Sequence, residues 1–129
     1  MSFSSDLKGF AVKVQANSEK VFRGTSISLF RNIVRRTPVK TGVLRGNWQT
    51  DINRPSSGTL ERSGSAAANS EIVRVAGKAK LDETIFFVNN LPYSVPIEKG
   101  SSTQAPAGMV AVTVSEFQRE VNKQARKLK

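Results

Sequence analysis

The sequence has no cysteine and no histidine among its 129 residues. The absence of cysteine excludes disulfide bonds, thiolate nucleophiles and cysteine-ligated zinc or iron–sulfur centres. The absence of histidine removes the Ser-His and Cys-His nucleophile pairs, the commonest general base and the commonest ligand of transition metals. Few of the side chains on which enzymes depend remain, and we therefore expect no enzymatic activity and no cofactor.

Motifs for nucleotides and for hard metal ions are also missing. No two of the nine glycines are two residues apart and no Gly-Lys-Ser/Thr occurs, which excludes the common phosphate-binding loops. The ten carboxylates are spread thinly and form no dense acidic loop for Ca²⁺. A hydrolase that uses a Ser-Lys dyad or paired carboxylates stays open as an alternative, although no motif nominates its residues.

Positive charge is in excess and lies at the two ends of the chain. Lys and Arg number 20 against 10 Asp and Glu, which gives a formal net charge of +10. Residues 1–40 and 99–129 hold this excess, whereas residues 41–98 carry six charges of each sign. The pattern indicates either solvated basic helix faces or contact with an acidic partner or with phosphate. A small basic nucleic-acid-binding protein is therefore the alternative function, although no known binding signature is present.

The sequence shows neither a targeting signal nor a membrane-spanning segment. Its first residues lack the basic flank and apolar run of a signal peptide. The longest uncharged stretch, Gly100–Ser115, is too polar and too short to span a bilayer. We therefore expect a single domain over residues 1–129 that is soluble, has no membrane partner and resides in a reducing compartment.

Helical periodicity is strongest at the two ends of the chain. The first predicted helix covers about residues 5–36 and stops at Thr37-Pro38. Gly9 or Gly24 is expected to mark a kink or a break in it. The last predicted helix begins near residue 108 and carries one almost uninterrupted apolar stripe. The apolar positions are Leu7, Phe10, Val14, Val21, Thr25 and Leu29 in the first helix, and Val110, Val114, Phe117, Val121, Ala125 and Leu128 in the last.

The middle of the chain predicts two strands and a short helix. Trp48–Ile52 alternates apolar with polar residues, as a half-buried strand does, and Thr84–Asn89 predicts a strand buried on both faces. Residues 66–79 predict the helix. Residues 53–65 are polar and rich in turn formers, and form either a long loop or a flexible arm that orders only on assembly. The predicted fold class is α+β, with a long N-terminal helix and a C-terminal amphipathic helix packed on a small antiparallel sheet.

Two segments are more specific than the rest. The first, residues 37–48, reads Thr-Pro-Val-Lys-Thr-Gly-Val-Leu-Arg-Gly-Asn-Trp. The second, residues 89–109, reads Asn-Asn-Leu-Pro-Tyr-Ser-Val-Pro-Ile-Glu-Lys-Gly-Ser-Ser-Thr-Gln-Ala-Pro-Ala-Gly-Met. Together they resemble the tail-completion or neck protein family of long-tailed bacteriophages, often labelled minor tail component. The motif residues are Thr41, Gly42, Leu44, Arg45, Trp48, Asn89, Pro92, Tyr93, Glu98, Gly100, Gly108 and Met109.

The resemblance implies a structural virion protein that is assembled in the host cytoplasm and works by assembly. Such a protein completes the tail and joins it to the head connector as part of an oligomeric ring, expected to be a hexamer that matches the tail symmetry. The implied partners are further copies of the chain, tail terminator or tail tube proteins, and head-closure or connector proteins. DNA is expected to pass near the ring in the neck.

The motif residues also carry expectations from their own chemistry. Thr41-Gly42 predicts a tight turn in which glycine takes a positive φ, and Leu44 and Trp48 predict core positions. Tyr93 is expected to cap the sheet with its ring.

Glu98 lies in a locally apolar stretch, where a carboxylate needs an arginine or a backbone amide as partner. Arg45 is the candidate arginine, from the same chain or from a neighbour.

The loop at residues 101–107 is the predicted contact with a partner or a neighbouring subunit. It is small and loop-forming, and loops carry interaction function more often than regular elements do. We expect it to be unsuited to a core, so that its deletion spares folding, and a plain solvent loop is the alternative. The contact residues are Ser101, Ser102, Thr103, Gln104, Ala105 and Pro106.

Overall fold

A computed structural model describes residues 3–39 and 42–128, with side chains described for residues 17–39 and 42–128. The described residues form six helices and two strands, in the α+β class that the sequence predicts. The elements are α1 (Phe3–Arg36), α2 (Val43–Gly46), β1 (Trp48–Ile52), α3 (Ser65–Ala76), β2 (Ile85–Asn89), α4 (Ser94–Glu98), α5 (Val110–Val114) and α6 (Phe117–Arg126).

Helix α1 is continuous over 34 residues and ends just before Thr37-Pro38, as predicted. It runs through Gly9 and Gly24 without a break, so the expected interruption is wrong. A Cβ atom on Gly24 would lie 2.3 Å from Oε1 of Gln124, at the flexible end of a side chain on α6, so Gly24 lies where α6 passes close to α1. The predicted apolar positions Leu7, Phe10 and Val14 lie outside the residues whose side chains are described.

The two strands form an antiparallel sheet in which Trp48 lies opposite Asn89 and Ile52 opposite Ile85. Helix α3 packs on β1. Residues of β2 are half-buried along its whole length, so the predicted burial on both faces is wrong.

Burial along β1 does not follow the predicted alternation. Gln49 is buried together with its apolar neighbour Trp48. The reason is the loop at residues 53–64, which has no regular secondary structure and covers this side chain. Nε2 of Gln49 donates a hydrogen bond to the carbonyl of Gly58 in that loop, at 3.0 Å. A polar side chain is tolerated there because it is paired.

The core joins α1, α2, α3 and the sheet to the segment that precedes α5. Phe87 of β2 stacks on Phe30 and on Trp48, with ring centroids 4.4 Å and 4.7 Å apart. Leu44 and Trp48 are buried, which confirms their predicted core positions. The buried core side chains are Ile33, Val34, Leu44, Trp48, Ala68, Ile72, Ala105 and Met109.

The C-terminal helix is divided, so the prediction of one uninterrupted helix from Gly108 is wrong. Helix α5 ends at Val114 and α6 begins at Phe117. The hydroxyl of Thr113 donates to the carbonyl of Met109 at 2.9 Å, and such side-chain bonds compete with regular helical pairing. The amide of Glu116 then bonds the carbonyl of Thr113, three residues back, at 3.0 Å, which closes a turn between the helices.

Helix α6 packs along α1 rather than on the sheet, which α3 covers instead. The predicted apolar stripe is only partly buried as a result. Val114, Phe117 and Leu128 remain exposed, Phe117 by 52%.

Candidate functional site

The first motif segment ties the end of α1 to β1. The hydroxyl of Thr37 donates to the carbonyl of Ile33 at 2.7 Å and accepts from Nε1 of Trp48 at 2.8 Å. Both polar side chains are buried and satisfied. Thr41 of this motif lies outside the described residues, whereas Gly42 has the expected positive φ, 77°.

Arg45 closes the exposed end of helix α1. Its Nε donates to the carbonyl of Thr37 at 2.6 Å, and its second guanidinium nitrogen donates to the carbonyl of Arg35 at 2.8 Å. The last carbonyls of a helix have no partner within the helix, so these bonds satisfy groups that would otherwise depend on water. Within the chain, Arg45 is therefore not the partner of Glu98, so that part of the prediction is wrong.

Two asparagines connect this junction to the rest of the chain. Nδ2 of Asn89 donates to the carbonyl of Leu44 at 2.8 Å, which joins the second motif segment to the first. Asn47 is fully buried, and its amide exchanges hydrogen bonds with the backbone of Leu60 at 2.7 and 3.0 Å. Asn47 thereby holds the loop at residues 53–64. This role could not be predicted from the sequence, since a lone asparagine beside a glycine is typical of any turn.

The second motif segment is organised by Glu98. Its Oε1 accepts from the amides of Met109 and Val110, both at 2.8 Å, and its Oε2 accepts from the amide of Ala111 at 2.9 Å. These amides lie at the start of α5, where helical N–H groups lack internal partners. Of the two predicted kinds of partner, the backbone amide is the one that the structure shows.

The environment of Glu98 stabilises its charged form. Partial burial by itself raises the pKa of the carboxyl group. The three backbone N–H bonds act in the opposite direction and outweigh burial, so the pKa of Glu98 lies below its ordinary value. The carboxylate therefore acts as a charged cap on α5 from a distant part of the chain.

Two glycines allow the loop at residues 98–109, here named the Glu98 loop, to close. Gly100 and Gly108 have φ values of 94° and 89°, in the region that favours glycine. A Cβ atom on Gly108 would lie 2.6 Å from the carbonyl oxygen of Glu98, and one on Gly100 would lie 2.6 Å from that of Pro106. The closed loop therefore requires glycine at both of these motif positions.

Part of the predicted contact loop belongs to the core. Ala105 is only 4% exposed, and it packs in the same cluster as Met109. The prediction that Ala105 makes partner contacts is therefore wrong, and so is the expectation that the loop is unsuited to a core. The burial of Ala105 argues against the expectation that residues 101–107 can be deleted without harm to folding. The small side chain is what allows the loop to pass over the core.

The remaining contact residues lie on one surface with exposed apolar side chains. Ser101, Thr103, Gln104 and Pro106 are exposed and Ser102 is half-buried. Tyr93 is 43% exposed, so part of its side chain is open to a partner, and its expected role as a cap on the sheet stays a prediction. We name as the loop face the exposed residues Val39, Tyr93, Ser101, Thr103 and Gln104.

The loop face contains a groove of about 660 Å³, whose walls include Leu44, Tyr93, Ile97 and residues 101–104. Oε1 of Gln104 accepts from the amide of Val39 at 3.1 Å, which fixes one wall to the first motif segment. Pro92 is exposed beside it. The sequence did not single out Val39, because an isolated valine next to proline carries no distinctive pattern.

The other carboxylates with shifted pKa values take part in structural pairs. Arg36 donates to Glu116 and is the main cause of its lowered pKa, with Arg119 as a second partner. Burial, followed by the charge of Glu71, raises the pKa of Asp51. Within the described ranges, no group of three acidic side chains converges in a way that could hold a metal ion.

Among the residues that the structure describes, no helix is both long and apolar enough to cross a membrane. Comparison of the chain with protein-family models, with curated proteins and with solved structures gave no match.

Proposed function

We propose that this protein is a structural component of a bacteriophage neck, which completes the tail and joins it to the head connector as one subunit of a ring. The observation that supports the proposal is how the two motif segments are used. Their polar residues satisfy each other and the backbone, and in doing so they hold the loop face in a fixed shape. Polar contacts that support the shape of one surface are expected in a protein that works by binding to other proteins.

The composition of the loop face supports a protein partner. Val39 and Tyr93 are both exposed by more than 40%. They stand beside the polar side chains of residues 101–104 and beside the groove. Exposed apolar and aromatic side chains with a polar rim are typical of protein–protein interfaces, whose cores are enriched in tyrosine and depleted in charge.

A second apolar surface lies on α5 and α6. Val114, Phe117 and Leu128 are exposed there, and apolar grooves of about 400 and 470 Å³ run between α6 and α1. A contact between two different patches on successive subunits is heterologous, and it closes into a ring when the rotation between subunits permits. Two distinct patches on one chain therefore support a ring more than a twofold dimer.

The proposal is tested by the mass of the particle that the protein forms in solution. Six copies of the 14.1 kDa chain give a ring of about 85 kDa. The double substitution Val39→Ser, Tyr93→Ser removes the exposed apolar side chains of the loop face and is expected to leave monomers. The matched control is Val73→Ser, because Val73 is equally exposed but lies on α3.

Mass photometry and sedimentation velocity measure the outcome, both for the protein alone and for mixtures with the tail and connector proteins of the same phage. Rings of the wild type and of the control, with monomers of the double variant, would support the proposal. A wild-type protein that stays monomeric alone and in every mixture would contradict the proposal. Rings that persist in the double variant would contradict the role of the loop face in forming them.

A further inference from the structure

A basic groove of about 620 Å³ runs between α1 and α6, and α2 and α3 also contribute residues to its walls. Arg31 and Arg35 of α1 line it together with Lys123 and Lys127 at the end of α6. In each pair the cations are four residues apart, so they lie on the same side of their helix. All four side chains are exposed, and Arg45 lines the groove as a fifth cation.

The positive charges of Arg31 and Arg35 are not neutralised by ion pairs among the described residues. The lysines lie near Glu120, which is buried and accepts hydrogen bonds from Gln124 and a serine of α1. No carboxylate lines the groove itself. The groove therefore presents a net positive charge to whatever occupies it.

The uncharged lining favours phosphate as the occupant. Ser28, Asn32, Ser65, Asn69 and Gln124 supply hydroxyl and amide groups along the walls. Arginine and lysine together with serine, asparagine and glutamine are the side chains that contact phosphate oxygens in protein–DNA complexes.

Two other occupants fit less well. No aromatic side chain lines the groove, so the stacking that binds single strands is missing. Only Ile27 and Val34 are apolar among its lining, whereas the centre of a protein–protein interface is apolar and depleted in lysine. An acidic protein surface is therefore a poorer match than a regular sugar–phosphate backbone.

We propose that this groove binds the phosphate backbone of double-stranded DNA without reading its sequence. This goes beyond the assembly function and does not depend on it, because the groove and the loop face share no cation. A protein that neutralises four phosphates releases the counterions bound to them, so its affinity must fall steeply with salt, with a slope of about −3.6 in log K against log salt.

The test is fluorescence anisotropy of a labelled 24-bp duplex with the full-length protein, at salt concentrations between 0.05 and 0.3 M. The groove variants are Arg31→Gln, Arg35→Gln on one wall and Lys123→Gln, Lys127→Gln on the other. The charge-matched control is Lys78→Gln, Lys80→Gln, since both lysines are exposed between α3 and β2. Circular dichroism verifies that every variant is folded.

Each groove variant is expected to reduce the slope to about −1.8 and to raise Kd roughly sixtyfold at 0.1 M salt, because two phosphate contacts are lost. The control is expected to keep the wild-type slope. Equal losses of DNA affinity in the control and the groove variants would show that the overall positive charge of the protein attracts the duplex, and would overturn the proposal. It would also be overturned if the wild type did not bind duplex at 0.05 M salt, or if it bound polyglutamate or single strands more tightly than duplex.

Discussion

Replacement of Glu98 by alanine is the most informative single perturbation of this fold. The carboxylate holds three backbone amides at the start of α5, at 2.8 to 2.9 Å, from a position eleven or more residues earlier in the chain. Its removal leaves these amides without a protein partner. It also frees the Glu98 loop, whose residues Ala105 and Met109 belong to the core.

The expected cost follows from the burial of each amide. Met109 is buried, so leaving its N–H without a partner is expected to lower the unfolding free energy by about 1–3 kcal/mol. Val110 is half-buried and Ala111 is exposed, so water can replace much of the hydrogen bonding that their amides lose. Each of these two amides is therefore expected to lower the unfolding free energy by about 0.5–1 kcal/mol. The Glu98→Ala variant is therefore expected to lose about 2–5 kcal/mol of unfolding free energy. Glu98→Gln keeps one acceptor oxygen and is expected to lose about half as much, since charge-assisted bonds are roughly twice as strong as neutral ones.

Urea denaturation at pH 7, followed by circular dichroism, measures these differences. Glu61→Ala is the matched control, because Glu61 is an exposed carboxylate in the loop at residues 53–64, and we expect a change within about 0.5 kcal/mol. A loss below 0.5 kcal/mol in Glu98→Ala would refute the capping role. The capping role would also be refuted if Glu98→Gln were no more stable than Glu98→Ala.

Three further predictions follow from the same contacts. Thr37→Val keeps the shape of the side chain but leaves buried Nε1 of Trp48 without its acceptor, and urea denaturation should show a loss of about 1–3 kcal/mol. Gly108→Ala should cost more than Gly58→Ala in thermal denaturation, because both have positive φ but only at Gly108 does the new Cβ meet other atoms; equal losses would contradict the closed loop. The lowered pKa of Glu98 means that its contribution to stability is present above the unfolded pKa near 4.5 and is lost as pH falls through the folded value. The melting temperature of the wild type should therefore fall more steeply between pH 5 and 3 than that of Glu98→Gln, and parallel curves would contradict this.

Much of the fold could be predicted from local sequence. The end of α1 at Thr37-Pro38 and the strand at Ile85–Asn89 follow from proline sterics and from β-branched and aromatic residues, which act over a few positions. The core positions of Leu44 and Trp48 could be predicted for the same reason, since large apolar side chains in a short domain are rarely left exposed.

The contacts between distant segments could not be predicted. The choice of Glu98 between an arginine and a backbone amide depends on where α5 begins, and the sequence predicted one helix rather than α5 and α6. The burial of Gln49 depends on the loop at residues 53–64 folding over β1. The arginines and lysines of the basic groove belong to helices far apart in the chain, so their convergence appears only once α6 packs against α1.

The position of the chain in the virion tests the central claim most directly. Electron cryo-microscopy of the phage that encodes the chain, with a peptide tag added after Lys129, would locate every copy. A ring of this protein between the head connector and the tail tube is the result that we predict. Particles without the protein, or with copies only on the capsid or at the distal tail tip, would contradict the account.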